Sequence, residues 1–339
     1  MADDIERGGG KSLGEFDIIA RYFAPLATDT SSLGLRDDAA VLRPIEGQEI
    51  VLSCDTIIEG VHFLKDDPPE SIGHKALAVN LSDLAAKGAR PYIYLLALSL
   101  PPHPSAAWLE AFASGLRDFQ ERAGATLVGG DTTASPGPLS ITITALGLVP
   151  HGHTVLRHGA KQGDRLYVSG TIGDAYLGLR ILKEPSLARF WGLNDEEQEF
   201  VVERYRRPEP RNDLMLVIRN FATAAIDVSD GLVADADKLA KVSHAGALID
   251  TSRVPLSDVA RKVLECAPEL LKALMTGGDD YEILAAVSEA SGISFEAEAR
   301  AKGVGVSVIG RIEGRPGEVR VLGADGQILN LAAKGFTHF

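Results

Sequence analysis

Short aliphatic runs, several bordered by aspartate, alternate with helical patterns along the whole chain, and that alternation restricts the fold to the mixed α/β classes. Glu49 to Cys54, Tyr92 to Leu100, Thr126 to Val128 and Leu139 to Val149 are rich in β-branched and aliphatic residues and predict strands. Ala39 to Leu42 reads the same way. Pro69 opens a helical pattern that runs through Lys87 and stops at Gly88 and Pro91, and a second helix is expected from about Ser105 to Ala123. Nearer the N-terminus, Phe16, Ile19 and Phe23 recur at helical spacing before Pro25 closes the segment. A polar stretch from Pro150 to Gly163 interrupts the pattern. It restarts with strands expected at Arg165 to Ser169, Ala225 to Val228, Ala247 to Asp250, Tyr281 to Val287 and Val306 to Ile312, and with helices such as Gly173 to Leu182 between them. A chain of 339 residues exceeds the size at which one core usually stops growing, so two domains are expected, 1–150 and 151–339.

Composition narrows the function classes. Hydrophobic residues at 45% and charged residues at 24% are those of a folded globular protein. The net charge of −13 argues against a nucleic-acid partner, because phosphate backbones are held mainly by Lys and Arg. A nucleotide remains compatible with an acidic site if divalent cations sit between the carboxylates and the phosphates. Cys54 and Cys266 are too few for a disulfide framework or a four-cysteine zinc site, which fits a reducing compartment. The N-terminus is acidic without an apolar core, and Ile93 to Leu100 is far too short to span a bilayer. A cytoplasmic protein with no membrane partner is expected.

Two motifs fail on inspection. Gly8-Gly-Gly-Lys-Ser12 resembles a phosphate-binding loop, but Ile5 occupies the first glycine position and no strand precedes it. His151, His153 and His158 lie in a polar linker without a second ligand cluster, so an exposed loop is the better reading than zinc. The acidic motifs carry more. Asp227-Val-Ser-Asp230-Gly231 follows an apolar lead and turns into a helix, where Asp230 either caps that helix or projects as a ligand. Asn80, Asp83 and Lys87 share one helical face, which taken alone reads as a solvated ion pair. Gly129-Gly-Asp131 and Gly277-Gly-Asp-Asp280 place carboxylates beside glycines that permit close backbone approach to a ligand. Asp38, Asp55, Asp83, Asp131, Asp227 and Asp230 together offer the oxygen ligands that Mg²⁺ prefers, and phosphoryl transfer commonly uses more than one metal.

The ordered set Gly14-Glu-Phe16, Asp37-Asp38, Asp55-Thr56, Gly60-Val-His-Phe63, Ala78 to Asp83, Gly129-Gly-Asp131 and Ile226 to Gly231 resembles the thiamine-monophosphate kinase family. Arg157, Gly170 to Asp174, Arg207-Pro-Glu-Pro-Arg211, Gly277 to Glu282 and the terminal Gly335 to Phe339 continue the likeness, so nearly the whole chain is covered. The resemblance implies the two-domain fold of the aminoimidazole ribonucleotide synthetase superfamily, a homodimer whose N-terminal domains share a β-barrel, and a C-terminal α/β domain. It implies transfer of the ATP γ-phosphoryl group to thiamine monophosphate, giving thiamine diphosphate and ADP, with several Mg²⁺ ions. By matching positions, it implies that Asp38, Asp55, Asp83, Asp131, Asp227 and Asp230 are metal carboxylates, with Ser53 as a further oxygen ligand and Asp38, Asp131 and Asp230 as the catalytic set. Gly130, Asp131, Arg157 and Ser229 are implied to face the nucleotide; His62, Asp279 and Phe336 are implied to face the acceptor.

The chain departs from the family pattern at Leu35-Arg36, at Cys54 in place of Thr, at Asp279 in place of Glu, and at Ala333 where some members carry an aromatic. The alternatives are another ATP-dependent enzyme of the superfamily or a non-catalytic Mg-nucleotide-binding relative. Neither cysteine lies in the glycine-rich setting of a selenophosphate synthetase, and the chain ends in Phe339 where hydrogenase maturation relatives carry a reactive cysteine. A phosphate monoester with a second pKa of about 6 is already an anionic nucleophile near neutral pH, so a dispersed set of metal-holding aspartates needs no strong base beside it.

Overall fold

A computed structural model describes residues 14–37, 39–331 and 333–336. In the first half, strands β1 (Gln48–Ile58), β2 (Arg90–Leu100), β3 (Thr126–Ala134) and β4 (Ser140–Pro150) form one sheet in the order β1-β4-β2-β3. Pairing is antiparallel except between β2 and β3, which are parallel and joined through helix Ala106–Ala123, the crossover that parallel neighbours require. Ser105 caps that helix, its hydroxyl accepting the Trp108 N–H at 3.1 Å, and Gly124 ends it in the left-handed conformation.

The second half carries β5 (Arg165–Ser169), β6 (Ala222–Val228), β7 (Ala247–Asp250), β8 (Glu282–Val287), β9 (Val306–Ile312) and β10 (Val319–Leu322) in the order β10-β7-β9-β5-β8-β6. Only β10 and β7 run parallel. Its main core packs β-strand residues such as Leu166, Val168, Ile226 and Leu284 against helices Asp174–Lys183 and Leu232–Val242.

Helix Pro69–Ala86 joins the halves. It is buried on nearly every side, because one flank covers the first sheet while its C-terminal part meets β6 and β8. Gly73 and Gly115 let it cross helix Ala106–Ala123 closely: a methyl group would lie 2.3 Å from Phe112 O at the first and 1.9 Å from Glu70 O at the second.

Two sequence expectations fail. The N-terminal segment is α-helical only over Glu15–Ile18, then widens into a π turn at Ile19–Phe23 and tightens at Ala24–Leu26. The added width rotates the face, so Ile18, Tyr22, Phe23 and Leu26 are buried while Phe16 stays 82% exposed. Ala39 to Leu42 does not pair as a strand; Val41 N–H donates to Ser31 O, and Val41 and Leu42 remain exposed. Aliphatic composition without a neighbouring strand to complete its hydrogen bonds does not make one.

Candidate functional site

Alternation along β1 turns Ser53 and Asp55 toward helix Pro69–Ala86. The Ser53 hydroxyl donates to Asp83, and the Asp55 N–H donates to Asn80 Oδ1 at 3.0 Å. The Asn80-Asp83-Lys87 face is therefore an interior one, not a solvated ion pair. Asn80 is fully buried, and Lys87 reaches across to Ala225 O at 2.7 Å on β6. That strand ends at Asp227 and Val228, after which the Ser229-Asp230-Gly231 turn enters helix Leu232–Val242.

Asp230 does not cap the helix that follows. Gly231 is the N-cap residue, with φ of 115°, and no side chain caps the helix. Asp235, in the first helical turn, instead accepts the Ser229 and Asp230 N–H groups at 3.0 Å each, and Lys238 bridges Asp230 and Asp235. The Asp230 carboxylate is left beside a cavity of about 740 Å³ that Asp55, Asp83 and Asp227 also line. Four aspartates from three distant stretches of chain thus converge.

Their mutual repulsion shows in their protonation. Burial, with the Asp83 and Asp230 charges, pushes Asp55 from 3.8 to about 6. Asp227, fully desolvated and facing Asp83, Asp235 and Asp55, is raised well above the ordinary carboxylate range. Burial lowers Lys87 to about 8, aided by Arg157 and opposed by Asp227 and Asp83. The site contains more negative charge than its own cations offset. Hard oxygen donors under such repulsion suit a divalent cation that shares its coordination with phosphate. Among the described residues, no group of three or more His, Cys, Asp or Glu side chains is placed to hold a metal ion by itself.

The opposite wall is the loop from Gly277 to Tyr281. It packs on the Asp230 turn through Asp279 N–H to Ser229 O at 2.9 Å and Tyr281 N–H to Val228 O at 2.8 Å. A methyl group at Gly278 would lie 2.4 Å from Ser229 O. Asp279 and Tyr281 both have positive φ, 72° and 50°, an uncommon conformation for non-glycine residues. Asp279, His62, Arg157, Ser229 and Phe336 all line the cavity. His62 Nδ1 accepts the Ile58 N–H at 3.1 Å, and Phe336 N–H donates to Asp230 O at 2.9 Å.

Ser53 stands behind Asp83, not in the cavity wall. Gly130 and Asp131 lie on β3 apart from the cavity. A methyl group at Gly130 would strike Leu96 O at 1.8 Å, and Asp131 is exposed opposite Ala97. Asp38 lies outside the described residues.

Other motif residues build a scaffold beneath the site. Glu282 is fully buried between Arg211, Arg204 and Ser169, and Asp280 accepts the Gly173 N–H with both oxygens at 3.0 Å. Sequence reasoning missed Asp235, Lys238 and Lys75. The Asp-x-x-Lys spacing at 235 and 238 is a local signal for the first two; Lys75 sits in an apolar stretch where no pattern marks it.

The chain matches the AIR synthase related protein N-terminal domain family over residues 36–149 and the corresponding C-terminal domain family over residues 161–323. It is 45% identical to the thiamine-monophosphate kinase of Caulobacter vibrioides over 305 residues, covering 88% of this chain and 84% of that one. Among solved structures it is similar to thiamine-monophosphate kinase from Stenotrophomonas maltophilia, with TM-score 0.80, 39% identity and coverage of 90% and 94% of the two chains. It is also similar to AaThiL complexed with AMPPCP and TMP, with TM-score 0.75, 30% identity and coverage of 96% and 97%. The aspartates gathered around the cavity accordingly sit in a member of the thiamine-monophosphate kinase family, built from the two AIR synthase related domains.

Proposed function

We propose that this cavity brings Mg-ATP and thiamine monophosphate together for one direct phosphoryl transfer. The reaction is the family's: the γ-phosphoryl group of ATP passes to thiamine monophosphate, giving thiamine diphosphate and ADP. The observation that carries the mechanism is the convergence of Asp55, Asp83, Asp227 and Asp230 on one cavity with Arg157 and Lys238 at its walls. Bound Mg²⁺ would supply the positive charge that lets two anionic phosphates approach.

This chain's own residues do the rest. Asp55, Asp83, Asp227 and Asp230 would hold the cations, with Asp38 proposed as a further ligand, while Ser53 orients Asp83 by its hydrogen bond. Asp235 and Lys238 fix the Ser229-Asp230 turn, so Asp230 and the nucleotide-facing Ser229 are placed before ligand arrives. Arg157 offers a permanent cation to phosphate oxygens. His62, Asp279 and Phe336 are assigned to the acceptor. The acceptor phosphate is dianionic above a pKa of about 6 and attacks without a protein base. Rapid-quench analysis with γ-labelled ATP is expected to find label in thiamine diphosphate and none in a chemically stable phosphoenzyme; a kinetically competent phosphoenzyme would overturn direct transfer.

Asp131 belongs to the same proposal through a second copy of the chain. It projects from edge strand β3 on the sheet face that also exposes Ile50, Leu52 and Leu95 to 49%, 63% and 38%. A paired sheet closing a barrel over that apolar face would make a homodimer and carry Gly130 and Asp131 toward the partner's nucleotide. Domain 1–150 would then serve Mg-ATP binding and dimerisation, and 151–339 would complete the nucleotide and acceptor sites. No helix among the described residues is long and apolar enough to cross a membrane. The composition supports work in the cytoplasm. Mixing Asp131→Asn with Asp230→Asn chains is expected to restore about a quarter of wild-type activity by statistical subunit exchange, since one site per mixed dimer is intact. No restoration despite exchange would place both residues in one chain's site.

A further inference from the structure

Lys75 is the most deeply buried cation near the cavity, 1% exposed, yet it is not part of the cavity wall. Its ammonium donates to His62 O at 2.9 Å and to Asp279 Oδ2 at 3.3 Å, and lies 3.8 Å from the centre of the Tyr205 ring. The Tyr205 hydroxyl donates to the same His62 carbonyl at 3.2 Å. One cation thus ties together the turn carrying His62, helix Asp195–Arg206 and the Gly277 to Tyr281 loop; His62 and the loop line the cavity, and the helix backs them through Tyr205.

The Asp279 end explains why a buried lysine is kept there. Asp279 Oδ1 accepts the Tyr281 hydroxyl at 3.2 Å while Lys75 holds Oδ2, so both carboxylate oxygens are gripped from behind. The same loop holds left-handed φ at Asp279 and Tyr281, a conformation uncommon outside glycine that persists only where surrounding contacts impose it. A carboxylate ion gripped in this way keeps its remaining lone pairs toward the cavity. There it suits an amino-bearing, cationic ring system, not a phosphate. The shorter Asp side chain is thereby fixed in the wall despite its reach.

We infer that Lys75 is a positioning residue for acceptor recognition: it fixes Asp279 and the left-handed 277–281 loop so that the carboxylate meets the ring end of the acceptor, leaving nucleotide binding untouched. This rests on the reading of the acceptor as thiamine monophosphate and adds how the chain selects it.

The test compares Lys75→Met, Lys75→Arg, Tyr281→Phe and the double variant Lys75→Met/Asp279→Asn with wild type by steady-state kinetics and by calorimetric titration with thiamine monophosphate and with Mg-ATP. Lys75→Met is expected to raise KM and Kd for thiamine monophosphate about 10- to 100-fold, a span of roughly 1.4–2.8 kcal/mol, with the ATP constants within about threefold. Lys75→Arg, which keeps the charge, is expected to recover part of the loss. Tyr281→Phe removes the other grip and should move the same constant by a smaller factor. The double variant should be no worse than its worse single parent, because both changes break one contact. Should Lys75→Met not fold, the Lys75→Arg and Tyr281→Phe pattern decides. Equal changes in acceptor and ATP constants, a loss confined to kcat, or additive effects in the double variant would overturn the inference. Wild-type turnover of thiamine monophosphate in the same assay separately decides the underlying reading.

Discussion

Replacing Asp55 by Asn should make the metal-free protein more stable while removing its response to magnesium. In the folded chain, Asp55 is driven from 3.8 to about 6 by burial and by the Asp83 and Asp230 charges. At about 1.4 kcal/mol per pH decade, keeping this carboxylate ionised at neutral pH opposes folding by about 3 kcal/mol. Asn has nearly the same shape and no charge, so the substitution relieves that opposition, and the Asp55 N–H bond to Asn80 is unaffected because it is made by the backbone. With roughly 2–4 °C per kcal/mol, melting in EDTA at pH 7.5 should shift upward by roughly 6–12 °C. The pH dependence of the wild type supplies the sign. Because the folded pKa lies above the unfolded one, Asp55 contributes stability that is full below about 4 and is lost as pH rises through about 6. Added Mg²⁺ should therefore stabilise wild type strongly at pH 7.5, weakly at pH 5.5, and the Asp55→Asn variant little at either. Differential scanning calorimetry with and without Mg²⁺ makes the comparison. A variant less stable than wild type in EDTA at pH 7.5 would refute the claim that the four aspartates repel one another in the empty site.

Three further outcomes follow from the same geometry. Asp230→Asn should reduce Mg²⁺-dependent turnover far more than stability, since its Lys238 partner keeps Asp235; unchanged turnover at low Mg²⁺ would remove Asp230 from the metal set. Glu282→Ala should destabilise the second half by about 3–5 kcal/mol in urea unfolding, because it leaves Arg211 and Arg204 facing an empty buried site. Burial pushes Glu282 up, but the two arginines and Ser169 outweigh it and hold it below 4.5, so this contribution is present above 4.5 and is lost as the pH falls below that value. Gly278→Ala should cost about 1–3 kcal/mol and depress turnover together, since its methyl group would meet Ser229 O at 2.4 Å and part the two loops that form the site.

Much of this was readable in the residues. Strands with a clear aliphatic run, such as β2 and β9, fall where the pattern places them, and the helix expected from about Ser105 to Ala123 forms over Ala106–Ala123. The motif aspartates were identifiable one by one, and the resemblance joined them. What sequence periodicity does not encode is the meeting of distant segments. Nothing local tells that Asp83 faces Ser53, or that Gly231 takes the N-cap position in place of Asp230 while Asp235 holds the N–H groups of the turn. Lys75 was invisible for the same reason: a lysine among apolar residues reads as an exposed helical position until the fold supplies Asp279 and Tyr205. Ala39 to Leu42 failed in the opposite direction, a strand-like run that the fold leaves unpaired.

The central claim is that this aspartate-lined cavity transfers a phosphoryl group to a phosphate acceptor. Purified chain incubated with ATP, Mg²⁺ and either thiamine monophosphate or thiamine, with products separated chromatographically, tests it most directly. Equimolar thiamine diphosphate and ADP from thiamine monophosphate, none from thiamine, and none after Mg²⁺ is chelated is the expected result. ATP binding without thiamine diphosphate formation, or formation that persists without divalent cation, would contradict it.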